Sequence, residues 1–206
     1  AALIGGGATP RPGEISLAHR GLLILDELPE FSTDALQALR EPLDQKQAHL
    51  SRTGYNVAFP ADCWIVATAN PCPCGYLGSA TRECRCSSGD LHRYQRKLRG
   101  PLLDRFDMFC LLGDVGMDEL AGAEPEPWNT VTEPLTYRAP EQDMPLGPEA
   151  AALLAQAKAR LRLSMRSYHK TERVARTIAT LSGSKAVKPV HVAEALQYRY
   201  QGQLGF

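Results

Sequence analysis

Three polar side chains stand at the ends of two apolar runs. Asp26 and Glu27 close "GLLILDELPE", and Asn70 closes "CWIVATAN". Adjacent carboxylates suit phosphoryl chemistry. An Asp can hold the water shell of Mg²⁺, which takes oxygen ligands and keeps several waters. A neighbouring Glu can act as base or orient a water toward a phosphoryl group, and an Asn can hold that water or the terminal phosphate. Taken alone, "LLILDE" could equally be a strand that happens to end in acids. The asparagine at the end of a second such run favours the chemical reading.

Arg105 in "GPLLDRFD" has two readings. It can be a salt-bridged arginine at a strand start, or an arginine offered to a neighbouring subunit's phosphate, where it would stabilise transition-state charge. Arg166, Lys170 and Arg173 lie at i, i+4 and i+7 on a helical pattern. Such a face is either simply solvated or able to close over a nucleotide. Arg93, Arg96, Lys97 and Arg99 form a further basic cluster, read chiefly as a solvated helix face and secondarily as a nucleic-acid aid.

"NPCPCGYLGSATRECRCSSGD" holds Cys72, Cys74, Cys84 and Cys86 as two Cys-x-Cys pairs. Four thiolates satisfy a tetrahedral Zn²⁺ and leave no open position. Free thiols in a loop and a disulfide pair are the competing readings. Zinc is favoured because so long a polar loop needs a staple and because no secretory signal argues for oxidised cysteines. Cys63 and Cys110 sit in apolar runs and read as core residues.

These side chains need elements to hold them. The two apolar runs read as neighbouring strands of a parallel sheet, covered on both faces, with their polar ends on one edge. Ser32 or Thr33 can cap a helix carrying Leu36, Leu39 and Leu43, which Pro42 should kink or shorten. "AHLSRTGYNVAFP" reads as a hairpin with "RTG" at its tip. Residues 113–147 are acidic and proline-rich, a connection running over the surface. Three helical patterns follow: Pro148–Leu163; one after Ser164 with Val174, Ile178 and Leu181 as its buried face; and one from about Pro189 with Val192 and Leu196. The expected fold class is therefore α/β for residues 1–112, a linker at 113–147, and a small all-α domain at 148–206.

Composition narrows the function classes. Lys+Arg and Asp+Glu each number 23, so the formal net charge is zero and a wholesale electrostatic footprint for nucleic acid is excluded. Nothing approaches a membrane span, and no signal peptide is visible at the N-terminus. A cytoplasmic chain is expected.

"PGEISLAHRGLLILDELPEF", "ALREPLDQKQAHLSRTG", "FPADCWIVATANPCPCGYLG", "GPLLDRFD" and "RVARTIATL" together resemble the magnesium-chelatase-like AAA+ ATPases of the ComM/YifB type. The resemblance spans nearly all of the chain. It implies a partial AAA+ core followed by a helical lid, with ATP and Mg²⁺ as cofactors. Asp26 and Glu27 would be the Walker B pair, Asn70 the sensor 1 residue and Arg105 the arginine finger. Arg173 would be the sensor 2 arginine, with Arg176 as the alternative. "RPGEISLAHRG" would end the helix 2 insertion and "SRTG" would tip the pre-sensor 1 hairpin, which makes Arg52 a nucleic-acid contact. The resemblance further implies a hexameric ring that works on DNA, helicase-like, in branch migration when incoming DNA is integrated. A magnesium chelatase subunit acting on porphyrin and a non-catalytic zinc-stabilised binding module are the competing expectations.

One departure qualifies the match: no G-x-x-x-x-G-K-[ST] occurs in the chain. The phosphate-cradling loop is expected upstream of Ala1, and this chain by itself is expected to bind ATP weakly or not at all.

Overall fold

A computed structural model describes residues 2–97, 102–113 and 144–199, with the side chain of Arg52 outside that set. The chain divides into two compact units, one spanning Ala1–Phe106 and one beginning at Asp107. The acidic linker expected at 113–147 lies almost wholly outside the described residues, as does Arg99.

The first unit opens with a small antiparallel pair, β1 (Gly5–Gly6) and β2 (Arg11–Pro12). Gly13 ends β2 so close to β1 that an added Cβ would lie 2.3 Å from the Gly5 nitrogen. Only glycine allows that approach. The contact lets Glu14 and Ile15 donate to the Ala2 and Leu3 carbonyls, which starts α1 (Glu14–Leu17) and buries Ile15 completely.

Strand β3 (Leu22–Leu25) follows, then a 3₁₀ turn (Leu28–Glu30). Next, Ser32 caps α2 (Thr33–Ala38) by accepting from the Ala35 N–H at 3.3 Å. The expected single helix is broken at Leu39, and Pro42 sits in the first turn of a second one, α3 (Arg40–Gln45), where its missing N–H costs nothing. Leu36 and Leu39 are buried as their spacing predicts.

Strands β4 (Gln47–Arg52) and β5 (Tyr55–Pro60) form the expected hairpin, in register from Gln47 opposite Pro60 to Arg52 opposite Tyr55. Gly54 takes the positive φ (100°) that a two-residue turn demands. Tyr55 Oη donates to the Gly7 carbonyl at 2.9 Å, tying the base of the turn to the N-terminal hairpin.

Strand β6 (Trp64–Ala67) then pairs parallel to β3, with Leu22 opposite Trp64 and Leu25 opposite Ala67. This is the expected parallel α/β arrangement, with one correction. The described residues do not cover both faces of the sheet: Ile24 is 63% and Trp64 71% exposed, and Leu22 and Val66 are exposed beside them. Side chains alternate along a strand, so Leu25 turns inward and is buried, while its neighbours form an open apolar face.

The second unit is helical. It contains α5 (Pro148–Arg160), α6 (Met165–Leu181) and α7 (Pro189–Gln197). Proline begins α5 and α7, and the Ser164 hydroxyl caps α6 by accepting from the Ser167 N–H at 3.1 Å. Met144, Leu154, Val174, Ala179, Val187 and Val192 belong to one core, with Ile178 and Leu196 packed against it. Leu181, expected on that face, is 71% exposed because α6 ends there and its last turn runs past the core. Among the described residues no helix is long and apolar enough to cross a membrane.

Candidate functional site

Parallel pairing brings the two polar strand ends to one edge. Thr68, directly after β6, joins them. Its hydroxyl donates to Asp26 Oδ1 and accepts from the Glu27 N–H at 2.9 Å, while its backbone receives the Leu28 N–H at 2.8 Å and donates to Leu25. One threonine thus sets the carboxylate of Asp26 and the backbone of Glu27 together. Sequence reasoning missed Thr68, because a threonine inside "WIVATAN" reads only as a strand former.

Glu27 holds a left-handed backbone, φ 51° and ψ 53°. For a residue with a Cβ this costs about 1–2 kcal/mol. The Thr68 bonds and the buried Leu28 and Pro29 that follow fix the strained turn, and Glu27 lines a cavity of about 380 Å³. Glu30, Asn70, Cys72, Pro73 and Tyr94 line the same cavity. Asn70 and the acid pair therefore share one edge. Removing the Thr68 hydroxyl should be felt in stability: Thr68→Val lowers it by about 1–2 kcal/mol in denaturant unfolding, and Thr68→Ser restores it.

The loop after Asn70 carries the four cysteines. Their sulfurs lie within 4.8 Å of one another, with Cys72–Cys74 at 3.3 Å, Cys74–Cys84 at 3.6 Å and Cys72–Cys84 at 3.7 Å. A tetrahedron of thiolates about 2.3 Å from a zinc ion has edges of about 3.8 Å, which these separations approach. No two of the six cysteine sulfurs are joined in a disulfide.

Backbone amides face the sulfurs. The Leu77 N–H donates to Cys72 Sγ at 3.3 Å, past a turn closed by Gly75 at positive φ. N–H groups of Tyr76 and Arg85 draw the Cys74 pKa down to about 6. Burial pushes the Cys86 thiol up to about 12. Cys84 receives the Cys86 N–H, yet burial and the sulfurs of Cys74 and Cys72 leave it raised. Four sulfurs crowded together with ready amide donors can hold a metal ion. Cys63 and Cys110 are not core residues as expected: Cys63 is half-buried, and Cys110 is exposed on a segment without regular structure.

Helix α4 (Ser88–Lys97) starts just beyond Cys86. Tyr94, buried, donates from Oη to the Asn70 carbonyl at 3.0 Å, and Lys97 Nζ donates to the Pro29 carbonyl at 2.6 Å. Burial, and after it the Glu30 carboxylate, pushes the Tyr94 phenol up to about 12, so it remains a donor at neutral pH. In the basic cluster, Arg93 pairs with Asp90 at 2.8 Å, and Lys97 serves the site's own framework.

Arg105, in a 3₁₀ turn (Leu103–Arg105), is not directed into that cavity. Its guanidinium pairs with Asp44 and donates from Nε to the Arg40 carbonyl at 3.2 Å, with its side chain only 10% exposed. This is the salt-bridged geometry.

In the second unit Arg173 is exposed, while Arg176 pairs with Glu172 at 2.7 Å. Lys170 leaves the basic face it shares by spacing with Arg166 and Arg173. It is buried and pairs with Asp107 Oδ1 at 2.9 Å; burial lowers its pKa and Asp107 opposes the shift. Arg199, unremarked in the sequence, is buried alongside and donates to the Asp107 carbonyl at 3.0 Å. Arg52 ends β4 beside the hairpin turn, and its side chain lies outside the described residues.

The parallel strand pair ending in Asp-Glu and Asn, together with the helical unit that follows, is the arrangement of a magnesium chelatase-type protein. The chain belongs to that family: residues 1–120 match "Magnesium chelatase, subunit ChlI" and residues 125–199 match its C-terminal part. It is 39% identical to the competence protein ComM of Haemophilus influenzae, over 96% of this chain and 42% of that protein. It is also 39% identical to protein YifB of Escherichia coli, over 96% of this chain and 43% of that protein. A more distant similarity, 28% over half of this chain, is to the DNA replication licensing factor MCM2 of Arabidopsis thaliana, of which it covers 10%. The chain spans less than half the length of its ComM and YifB relatives.

Proposed function

We propose that the full-length protein is a ring-forming AAA+ ATPase that couples Mg-ATP hydrolysis to the remodelling of DNA, helicase-like and of the branch-migration kind, in the cytoplasm. One observation carries the ATPase reading: the parallel register of β3 and β6 sets Asp26–Glu27 and Asn70 on a single edge, with Glu27 and Asn70 on one cavity. Bound Mg²⁺ would supply charge neutralisation for the phosphates. Asp26, its carboxylate oriented by Thr68, holds the water shell of that ion. Glu27 takes the proton of the attacking water or aims it, and Asn70 fixes the same water or the terminal phosphate. Arg105 acts on the neighbouring subunit's nucleotide, and Arg173 on the helical unit serves as the lid arginine. The four cysteines hold a structural zinc ion. Similarity to a competence protein and to a DNA replication licensing factor supports DNA as the partner. The hexameric ring, and Arg52 as a DNA contact, belong to the same reading and follow from the sequence resemblance alone.

The family's name supports a second reading, a chelatase subunit that spends ATP on metal insertion into a porphyrin. ATP turnover by the full-length protein separates the two. The DNA motor raises its turnover when branched or single-stranded DNA is added and ignores porphyrin; the chelatase subunit does the reverse.

A further inference from the structure

The cysteine centre and the acid–asparagine edge are mechanically joined. Cys72 follows Asn70 with only Pro71 between them, is fully buried, and lines the cavity that Glu27 and Asn70 share. Cys84 and Cys86 close the cluster from the far end of the loop, and α4 begins just after Cys86. The helix then returns to the edge at two points. Tyr94 grips the carbonyl of Asn70, and Lys97 grips the carbonyl of Pro29 in the turn that carries Glu27. The chain runs Asn70, cysteines, α4 and back to both sides of the edge, so the sulfur cluster is the corner of a closed loop.

We infer that the four-cysteine centre, closed by zinc, is the joint of a brace in which Tyr94 and Lys97 hold Asn70 and Glu27 in working geometry, so that metal occupancy sets the rate of ATP hydrolysis and not the affinity for nucleotide. The inference rests on the ATPase reading above. Its physical basis is the loop between Cys74 and Cys84, whose two ends meet at the sulfur cluster. Within it the Thr81 and Arg82 N–H groups donate to the Ser79 hydroxyl, and Arg82 lies over the Tyr76 ring at 4.2 Å. Four thiolates drawn to one cation pull the two ends of that loop together. With the cation gone that pull is lost, and α4 loses the anchor at its first turn. Tyr94 and Lys97 touch backbone carbonyls, not the cavity's reacting centre. They are positioning residues, and their loss misplaces catalytic groups without removing one.

The test uses the full-length protein, with zinc content, thermal unfolding and ATPase kinetics measured on each sample. Wild type is expected to carry about one equivalent of zinc per chain. Tyr94→Phe and Lys97→Met keep that zinc and still unfold cooperatively, a few degrees below wild type at most, but lose about tenfold or more in kcat, with KM for ATP within about twofold. Chelation of wild type removes the zinc and lowers kcat likewise, and added zinc restores it. In Tyr94→Phe added zinc restores nothing, because its metal was never lost. Cys84→Ser repeats the chelated state by mutation. A metal-free wild type that turns over at the loaded rate overturns the inference, as does wild-type kcat in both Tyr94→Phe and Lys97→Met, or a turning-over wild type purified without metal. Those three results leave the ATPase reading standing, whereas a zinc-loaded wild type with no ATP hydrolysis at all sinks both.

Discussion

Glu27→Gln in the full-length protein leaves ATP bound and stops its turnover, with a fall in kcat of about 10²–10⁴-fold, the usual worth of a positioned acid–base group. The amide keeps the shape of the side chain and fills the same volume of the cavity beside Asn70. It cannot accept a proton from water. Nucleotide affinity, carried by other groups, is expected to hold, so filter binding of Mg-ATP stays near wild type while phosphate release vanishes. The left-handed backbone at Glu27 is equally available to glutamine, and the two Thr68 bonds involve the Asp26 carboxylate and the Glu27 amide, neither of which changes. Wild-type turnover in this variant would remove Glu27 from the chemistry and favour the reading of this chain as a binding module.

Arg105→Ala is expected to have a comparable or larger effect, about 10³-fold or more in ring turnover, as for arginines that act on a neighbour's phosphate. The side chain also has a partner in its own chain, Asp44, and the Arg40 carbonyl beside it. A loss of activity alone would therefore not separate a structural pair from a catalytic contact. Mixing does. Glu27→Gln subunits retain Arg105, and Arg105→Ala subunits retain Glu27. In rings built head to tail from equal parts of each, roughly a quarter of the interfaces join an intact acid pair to an intact arginine. Two inactive proteins then regain part of the activity when combined. No recovery, with assembly verified by light scattering, would assign Arg105 to the Asp44 pair alone.

The acid–asparagine edge was legible in the sequence because everything that makes it is local. Two apolar runs, each closing on polar residues, dictate two strands, and parallel pairing then sets Asp26, Glu27 and Asn70 side by side. The hairpin was legible from Thr53–Gly54, and the helix starts from Ser32, Pro148, Ser164 and Pro189. The missed features depend on partners distant in sequence. Lys170 shares a helix face with Arg166 and Arg173, and nothing in that spacing announces that Asp107 will draw it inward. Thr68 and Tyr94 look like ordinary strand and helix residues until the coordinates show Asp26, Glu27 and Asn70 as their partners. Likewise, "LLIL" and "WIVA" say that both faces of the sheet are apolar, but not which of them the described residues cover.

The bare side of that sheet makes Trp64 a built-in optical probe. Its indole is 71% exposed, beside Leu22, Ile24 and Val66, and one strand length from Thr68. An indole in water emits far to the red of one that is dry. The chain has two tryptophans, and with Trp128 replaced by phenylalanine the emission colour reports this single surface. Any polypeptide that settles against the strands shifts it to the blue, giving a direct optical measure of when that exposed face is covered.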